Sequence, residues 1–411
     1  MEEESYILIA IGSEEETNAS LTELSDLLDT AGGITLGMVT QNLPRPDPAT
    51  YIGKGKACEL KTALEETGAS GIICDDELTP AQMRNLSDIL DAKVLDRTQL
   101  ILDIFAAHAW TKEGKLQVEM AQLKYRASHL SGMGKVLSRL GGGIGTRGPG
   151  ETKIETDRRV IKSRIAALSD AIRNIKRNRE TARKKRMESA LLTAAVVGYT
   201  NAGKSSFLNC LTGATLLSED KLFATLDPVT RSFAFENGQE LLLTDTVGFI
   251  NKLPHHLIDA FRSTLEEACF ADILIHVVDS SDPEAEDHCR VVYETLSELK
   301  ITGKPILTVW NKCDLPEADK TLRDLRSDCS CRFSAKTGEG KEGLIIALDK
   351  LLKEMRVHIK ETVPYKDAGR IALIRKYGRL IAEEYEADGI RIEAEIPKAL
   401  GLSAPDSSHR G

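Results

Sequence analysis

The stretch 194–208, AAVVGYTNAGKSSFL, most constrains how this chain can fold. A short apolar run, typical of a buried strand, leads into a glycine-rich turn and then into residues that favour a helix. Gly198 and Gly203 enclose four residues. Lys204 and Ser205 follow them, which completes the pattern G-x-x-x-x-G-K-S. Backbone N–H groups of such a turn face phosphate oxygens, the lysine supplies a cation and the serine hydroxyl can bind Mg²⁺, so the pattern predicts a site for nucleotide phosphates.

Composition limits the class of protein. A chain of 411 residues with 41% apolar residues has room for several domains with buried cores. It contains no apolar run of about 18 residues, and its acidic start lacks the basic region of a secretory signal. We therefore expect a cytoplasmic protein without membrane insertion. The eight cysteines include no C-x-x-C pair, and we expect them to be reduced thiols.

The net charge of −9 hides a strongly basic region. Residues 111–187 hold 20 Lys and Arg against 7 Asp and Glu, a balance of +13, which leaves −22 for the rest of the chain. A concentrated positive field of this kind is typical of a segment that meets a polyanion such as RNA. The alternative is a solvated helical spacer, because charged runs on helices are often solvent-facing.

Two stretches of this basic region carry apolar residues at alternating steps of three and four, the pattern of one stripe along a helix. The stripes consist of Leu116, Met120, Leu123, Ala127 and Leu130, and of Ile161, Ile165, Leu168, Ile172 and Ile175. Between them lies the glycine-rich segment 141–150. The pattern predicts an antiparallel helical hairpin with a mobile tip. Eight cations crowd the end of its second helix: Arg173, Lys176, Arg177, Arg179, Arg183, Lys184, Lys185 and Arg186.

Residues 1–110 alternate short apolar strands with amphipathic helices, which predicts a small parallel α/β domain. Within it, the sequence YIGKGK at 51–56 has two interpretations. It is either the glycine and lysine start of a helix, which we favour, or a second phosphate loop based on Lys54 and Lys56.

Three further motifs follow strands after the phosphate loop. Asp245 ends the apolar run ELLLT and precedes Gly248 by three residues, as a magnesium-linked carboxylate and a γ-phosphate-sensing N–H require. The N-K-x-D motif of residues 311–314 fits guanine, because the Asp314 carboxylate can accept both N1–H and N2–H₂. Residues 334–336, SAK, offer backbone donors toward guanine O6. Parallel sheets bind ligands at the edge where these strand ends meet.

In this order the motifs of residues 191–357 resemble those of the translation-factor-like P-loop GTPases. The flanking regions resemble one family, HflX, a group of ribosome-associated GTPases. The segments that carry this resemblance are RTQLILDIF at 97–105, GKLQVEMAQL at 114–123, PGET at 149–152, DRR at 157–159, FATLDP at 223–228 and DTVGFI at 245–250.

The resemblance implies a GTP-hydrolysing factor that docks on the large ribosomal subunit and splits or rescues ribosomes under stress. The basic hairpin would reach toward the peptidyl-transferase region and bind rRNA. We expect a monomer when free, cytoplasmic and partly bound to ribosomes. Two alternatives remain open. One is a GTP-switched RNA chaperone or ribosome assembly factor, and the other is a second nucleotide-driven motor in the N-terminal domain.

The family pattern also favours Thr225 over Thr230 as the switch threonine that joins Mg²⁺. We expect Lys204, Thr225 and Gly248 to be the catalytic residues. Ser205 and Thr225 would bind the metal directly, and Asp245 would interact with it indirectly. Asn201 implies K⁺ beside the phosphates in related GTPases, although a hydrogen bond that braces the loop would explain it equally. The expected nucleotide-binding residues are Gly198, Tyr199, Thr200, Asn201, Ala202, Gly203, Lys204, Ser205, Ser206, Phe223, Ala224, Thr225, Asp245, Thr246, Val247, Gly248, Asn311, Lys312, Asp314, Ser334, Ala335 and Lys336.

Phe249 stands where Ras-like enzymes carry a water-orienting glutamine, so intrinsic hydrolysis is expected to be slow. The predicted fold is α/β: a parallel α/β domain at 1–110, a basic hairpin at 111–190, a P-loop GTPase domain at 191–357 and a small α+β appendage at 358–411. The last residues, from Ala404, have a composition that cannot pack.

Overall fold

A computed structural model describes residues 4–137, 149–187, 191–213, 222–223, 226–236, 240–252, 254 and 267–397. The chain forms two compact units. The first comprises Met1–Ile175 together with Asp220–Asp227 and Lys252–Arg262. The second comprises Lys176–Glu219, Pro228–Asn251 and Ser263–Gly411.

The first unit contains a four-stranded parallel sheet, as the alternation of strands and helices predicts; its strand order is β2 (Ile34–Gln41), β1 (Ser5–Ile11), β3 (Gly71–Cys74) and β4 (Lys93–Asp96). Its helices pack on both faces of the sheet. The elements are β1 (Ser5–Ile11), α1 (Glu14–Thr30), β2 (Ile34–Gln41), α2 (Lys54–Thr67), β3 (Gly71–Cys74), α3 (Pro80–Leu90), β4 (Lys93–Asp96) and α4 (Arg97–His108). Two of them have clear caps: Thr79 forms a capping box with Gln82 at the start of α3, and the Asp96 carboxylate accepts from Gln99 N–H at the start of α4.

The ambiguous sequence YIGKGK precedes and begins α2. Gly53 is the N-cap, and its N–H donates to the Gln41 side chain at 2.9 Å. Lys54 is the first helical residue, and Lys56 forms an ion pair with Glu59 at 2.7 Å. A helix therefore begins at Lys54, as the favoured interpretation predicts.

Two long helices, α5 (Lys112–Leu137) and α6 (Pro149–Met187), form the predicted hairpin. Arg164 bonds Glu119 through Nε at 2.7 Å, and the Ser169 hydroxyl lies 3.5 Å from the Met120 sulfur. Glu119 and Arg164 lie at similar distances in sequence from the connecting segment, so the helices are antiparallel. Residues 138–148 lie outside the described residues, and they include all but the last two residues of the glycine-rich tip 141–150.

The stripe predicted on α6 is confirmed, because its members are the less exposed residues of that helix and Leu168 is fully buried. On α5 the prediction was incomplete. The most buried apolar side chains of that helix include Val118, Ala121 and Tyr125, which lie on another face. The Tyr125 hydroxyl donates to Asp96 at 2.9 Å. Helix α5 therefore buries one face against α3 and α4 in addition to its contact with α6.

The second unit contains a six-stranded sheet with the order β10-β9-β8-β5-β7-β6, parallel except for β6. A three-stranded antiparallel sheet, β11-β13-β12, and one helix form the predicted α+β appendage. The elements are β5 (Leu192–Val197), α7 (Lys204–Thr212), β6 (Val229–Ala234), β7 (Glu240–Asp245), β8 (Ile273–Asp279), α8 (Ala285–Glu298), β9 (Ile306–Asn311), β10 (Cys329–Arg332), α9 (Lys341–Glu354), β11 (Arg356–Val363), α10 (Ala368–Tyr377), β12 (Arg379–Glu386) and β13 (Gly389–Pro397). The polar tail from Ala404 lies outside the described residues.

Within the described residues, no helix combines the length and the apolar composition that a bilayer crossing requires.

Candidate functional site

The phosphate loop connects β5 to α7 and begins at the carboxyl end of a central strand. Gly203, at φ +88°, is the N-cap of α7, and a Cβ there would lie 2.3 Å from the Asn311 Nδ2. Asn201 is also left-handed, at φ +58°, a conformation that asparagine tolerates better than most residues. The loop therefore has the backbone turn that the G-x-x-x-x-G-K-S spacing predicts.

Lys204 is buried at the start of α7, and its Nζ donates to the Tyr199 carbonyl at 2.7 Å. Burial lowers the pKa of Lys204 to about 8, against the opposing attraction of the Asp245 carboxylate. Negative charge beside the ammonium group would raise this pKa again, and nucleotide phosphates supply such charge.

The Ser205 hydroxyl donates to Asp245 Oδ2 at 2.7 Å. Asp245 is fully buried at the end of β7, and the following Thr246 hydroxyl donates to the Val196 carbonyl of β5 at 2.7 Å. A hydroxyl and a carboxylate beside a phosphate loop are hard oxygen donors of the kind Mg²⁺ prefers, so these residues fit that ion.

Gly248 lies directly against the phosphate loop. A Cβ at this position would come within 2.9 Å of Lys204 Nζ and of the Thr200 Cα. The next residue holds this segment in place, because Phe249 N–H donates to Gly198 O at 3.1 Å and the Phe249 carbonyl accepts from Thr200 N–H at 2.7 Å.

The Phe249 ring is 1% exposed and packs in a hydrophobic cluster with Ala195, Val197, Ala268 and other residues. It therefore points into the core of the second unit and cannot orient a water molecule. This agrees with the expectation drawn from its position in the sequence.

The base-recognition residues meet through Asn311, which ends β9 and is 1% exposed. Its Nδ2 donates to the Ala202 carbonyl of the phosphate loop at 2.9 Å, and its Oδ1 accepts from Ala335 N–H at 3.0 Å. Asn311 thus ties the phosphate loop to the 334–336 loop. In this arrangement the Ala335 N–H serves the asparagine, whereas the sequence alone predicts that it faces guanine O6.

Lys312 forms an ion pair with Asp279 at 2.6 Å and has φ +59°. Asp314 is half-buried two residues later, and Ser334 is fully buried. The Ser334 hydroxyl accepts from Thr337 N–H at 3.1 Å, which closes the 334–336 loop. Lys336 is exposed.

The sequence did not indicate one contact of the phosphate loop. The Tyr199 ring stacks on His288 of α8 with a centroid distance of 3.7 Å, and His288 Nδ1 lies 3.3 Å from an Asp282 oxygen. The Tyr199 hydroxyl also accepts from Asn251 N–H at 2.8 Å. No motif flags His288, because it lies almost 90 residues from Tyr199 in sequence.

The remaining expected residues have different outcomes. Ala224 and Thr225 lie outside the described residues. Phe223 belongs to the first unit, where its ring is buried against Phe105 with a centroid distance of 4.7 Å. Thr230, the alternative switch threonine, lies on β6, where its hydroxyl shares a hydrogen bond of 2.9 Å with Thr244.

A phosphate loop, a Ser205–Asp245 hydrogen bond and an N-K-x-D loop at one edge of a mostly parallel sheet define a P-loop GTPase. Three families match the chain in order: "GTP-binding GTPase N-terminal" over residues 18–106, "GTP-binding GTPase Middle Region" over 108–186 and "50S ribosome-binding GTPase" over 193–312.

The curated relatives include GTPase HflX of Lacrimispora saccharolytica, 54% identical over 99% of this chain and 96% of that protein. GTPase HflX of Escherichia coli K12 is 40% identical over 91% of this chain and 86% of its own length. A GTP-binding protein from Sulfolobus solfataricus, solved with GDP, is 26% identical over 84% of this chain and 98% of that one, with a TM-score of 0.44. The chain belongs to the HflX family of GTPases, and its reaction is the hydrolysis of GTP.

Proposed function

We propose that this GTPase is a Mg²⁺-dependent factor that works on the large ribosomal subunit and splits or rescues ribosomes under stress. Its domain from 193 to 312 matches a family described as "50S ribosome-binding GTPase", which supports the partner. The observation that carries the proposal is the basic helix α6. Its exposed cations include Arg158, Arg159, Lys162, Arg164, Arg173, Lys176 and Arg177.

A positive helix of this length suits a polyanionic partner, because binding to phosphates releases counterions from nucleic acid. Arg164 and Arg173 form surface ion pairs with Glu119 and Asp170, and such exposed pairs cost little to exchange for RNA phosphates. We therefore propose that the hairpin contacts rRNA, with the glycine-rich tip 141–150 at the far end.

At the nucleotide site, we propose that Ser205 and Thr225 bind Mg²⁺ while Asp245 positions the metal through its hydrogen bond to Ser205. Lys204 would hold the β- and γ-phosphates, Gly248 N–H would sense the γ-phosphate and Asp314 would read guanine. Asn201 would place K⁺ beside the phosphates. Bound Mg²⁺ would supply positive charge to the transferred phosphoryl group.

Because the Phe249 ring is buried, no side chain at that position orients the attacking water. We propose that docking on the ribosome orders the switch segments and thereby speeds turnover. The test measures GTP turnover with and without purified large ribosomal subunits, for the intact chain and for one whose 141–150 tip is shortened. Stimulation of the intact chain is expected. Binding to subunits with an unchanged rate would contradict the proposal.

If the chain with the shortened tip is still stimulated by large subunits, then activation of GTP hydrolysis does not require the tip. Splitting is then tested by adding the protein and GTP to intact ribosomes and following their dissociation by light scattering. If the protein fails to cosediment with mature subunits but binds precursor RNA, the RNA chaperone alternative replaces this one. We propose a free protein that is monomeric and cytoplasmic, to be checked by sedimentation and cell fractionation.

A further inference from the structure

One residue of the phosphate loop, Tyr199, connects the loop to two other parts of the second unit. Its carbonyl accepts from Lys204 Nζ at 2.7 Å, and its hydroxyl accepts from Asn251 N–H at 2.8 Å. Its ring is buried and stacks on His288 of α8. All of these residues belong to the second unit. Tyr199 thus contacts both the lysine proposed to hold the γ-phosphate and the backbone that follows Gly248.

The backbone after β7 lies along the phosphate loop. Tyr199 and Phe249 form a short parallel bridge. Its two backbone hydrogen bonds join Phe249 to the residues on either side of Tyr199. Two residues further on, Asn251 N–H donates to the Tyr199 hydroxyl. The tyrosine side chain therefore extends the attachment of this segment beyond the bonds that the loop backbone makes.

Gly248 directly precedes this bridge and lies close to the phosphate-loop lysine. A Cβ at this position would lie 2.9 Å from Lys204 Nζ. A shift of the backbone at Phe249 would therefore move Gly248 N–H relative to Lys204, and these are the two groups proposed to meet the γ-phosphate. The contacts that hold the segment thus decide how well this part of the site is formed before a nucleotide binds.

The His288 ring fixes the orientation of the Tyr199 ring. The two rings are nearly parallel, with an interplanar angle of 12° and a centroid distance of 3.7 Å. Aromatic pairs in contact attract each other beyond the effect of their burial. A tyrosine ring held in this way keeps its hydroxyl directed at Asn251 N–H.

Asp282 in turn holds His288 at the start of α8. One Asp282 oxygen lies 3.3 Å from His288 Nδ1, and the other accepts from Glu284 N–H at 2.8 Å. Burial opposes the charged carboxylate, but its hydrogen bonds to His288 and to Glu284 N–H prevail and lower the pKa of Asp282. The Asp282 carbonyl also accepts from Ala285 N–H at 3.1 Å. The imidazole is therefore attached to the turn that begins the helix.

We propose that Tyr199 and His288 are positioning residues that strengthen the binding of GTP relative to GDP. His288 orients the tyrosine ring, and the hydroxyl then holds the backbone after Gly248 against the phosphate loop. GTP benefits because its γ-phosphate requires Gly248 in place, and the segment has already lost much of its conformational freedom before the nucleotide arrives. GDP has no γ-phosphate and benefits less. The inference rests on the proposed role of Gly248 and deepens it.

The test measures the affinities for GDP and for guanosine β,γ-imidotriphosphate, each with Mg²⁺, in variants of the full chain. Tyr199→Phe keeps the ring and removes the hydroxyl. His288→Ala removes the stacked ring, whereas His288→Phe keeps a flat ring in its place. Tyr365→Phe and His358→Ala are the matched controls. They remove a hydrogen-bonded tyrosine hydroxyl and an exposed histidine beside a carboxylate elsewhere in the second unit.

The measured quantity is the ratio of the analogue affinity to the GDP affinity. Tyr199→Phe should lower this ratio about fivefold, the size expected for the loss of one ordinary hydrogen bond. His288→Ala should lower it about threefold, as loss of a stacked aromatic pair predicts, and its affinity for GDP should stay within about twofold of the native value. His288→Phe and both controls should keep the native ratio.

Two further readouts distinguish positioning from general damage. Hydrogen exchange at the Asn251 amide should accelerate in Tyr199→Phe and in His288→Ala, but not in His288→Phe or in the controls. In the double variant Tyr199→Phe, His288→Ala the ratio should equal that of Tyr199→Phe alone, because His288 acts through the hydroxyl that is already missing.

Equal losses of GDP and analogue affinity in Tyr199→Phe would overturn the proposal, and so would losses that add in the double variant. Gly248→Ala separates this failure from failure of the proposed function. If Gly248→Ala lowers the ratio and Tyr199→Phe does not, the positioning role alone is wrong. If Gly248→Ala leaves the ratio unchanged, the γ-phosphate role of Gly248 is wrong and the positioning role falls with it.

Discussion

Lys204 makes nucleotide affinity depend on pH in a way that can be calculated. Burial lowers the pKa of this lysine to about 8 in the nucleotide-free protein. Phosphate oxygens against the ammonium group favour its charged form, so in the complex the pKa should return to the ordinary lysine value of about 10.4 or higher. Binding must therefore return a proton to Lys204 wherever the free protein has lost it.

The magnitude follows from these two values. With a pKa of about 8, roughly nine in ten molecules carry the charge at pH 7 and roughly one in ten at pH 9. The Kd for GDP is then constant below pH 7 and rises about tenfold between pH 7 and pH 9. At pH 8.5 each binding event should take up about 0.75 proton.

Above pH 7 the affinity for GDP should fall as the pH rises, whereas the contribution of Lys204 to the stability of the nucleotide-free protein should increase. The unfolded chain holds the lysine proton up to about pH 10.4, whereas the folded chain releases it near pH 8. Because the unfolded state then binds more protons, this group adds stability as pH rises through that window. Its contribution is isolated by comparison with Lys204→Met.

Proton uptake is measured by titration calorimetry of GDP binding in buffers of different ionisation enthalpy. Lys204→Arg is the matched control, because arginine keeps its charge at these pH values. The guanine base also loses its N1 proton at alkaline pH, and both proteins share that loss. Zero uptake at pH 8.5 in the native chain, or the same pH slope in both proteins, would refute the reasoning.

Three further outcomes follow from the site. Asp314→Asn should exchange guanine selectivity for xanthine, since the amide donates where the carboxylate accepted; competition between GDP and xanthosine diphosphate checks this, and unchanged guanine preference would contradict the assigned reader. Gly248→Ala places a Cβ 2.9 Å from Lys204 Nζ, so binding of the triphosphate analogue should fall at least about tenfold while GDP binding changes less, and equal losses would exclude a γ-phosphate role. Turnover in K⁺ should exceed turnover in Na⁺, and Asn201→Ala should remove the difference; equal rates in both salts would leave Asn201 as a brace of the loop.

The local parts of this protein could be predicted from sequence because their signals are short in range. The phosphate loop needs only the spacing of Gly198, Gly203 and Lys204, and the helix at Lys54 needs only a glycine cap and a following amphipathic run. The stripe on α6 is likewise a periodic pattern within one helix. In each case one short, continuous stretch of the chain determines the geometry.

The parts that were missed depend on contacts between distant residues. Helix α5 buries Val118, Ala121 and Tyr125 against α3 and α4, but its own sequence shows two competing faces and does not say what covers each one. The stacking of Tyr199 on His288 joins a loop to a helix that follows three strands later in the chain. The sequence of either segment alone does not indicate which distant residue it will contact.

Asn311 shows how base and phosphate recognition are joined in this site. An asparagine amide has both a donor and an acceptor, and here the donor serves the Ala202 carbonyl while the acceptor takes Ala335 N–H. Aspartate could not donate to the Ala202 carbonyl. A larger side chain at 311 would meet Gly203, since even a Cβ added at 203 would lie 2.3 Å from the Asn311 Nδ2. The asparagine and Gly203 are therefore required together. One side chain, Asn311, therefore holds both the phosphate loop and the 334–336 loop. Asn311→Ala should weaken GDP binding more than the loss of a single contact to the base would. It should also weaken the binding of inorganic diphosphate, which has no base.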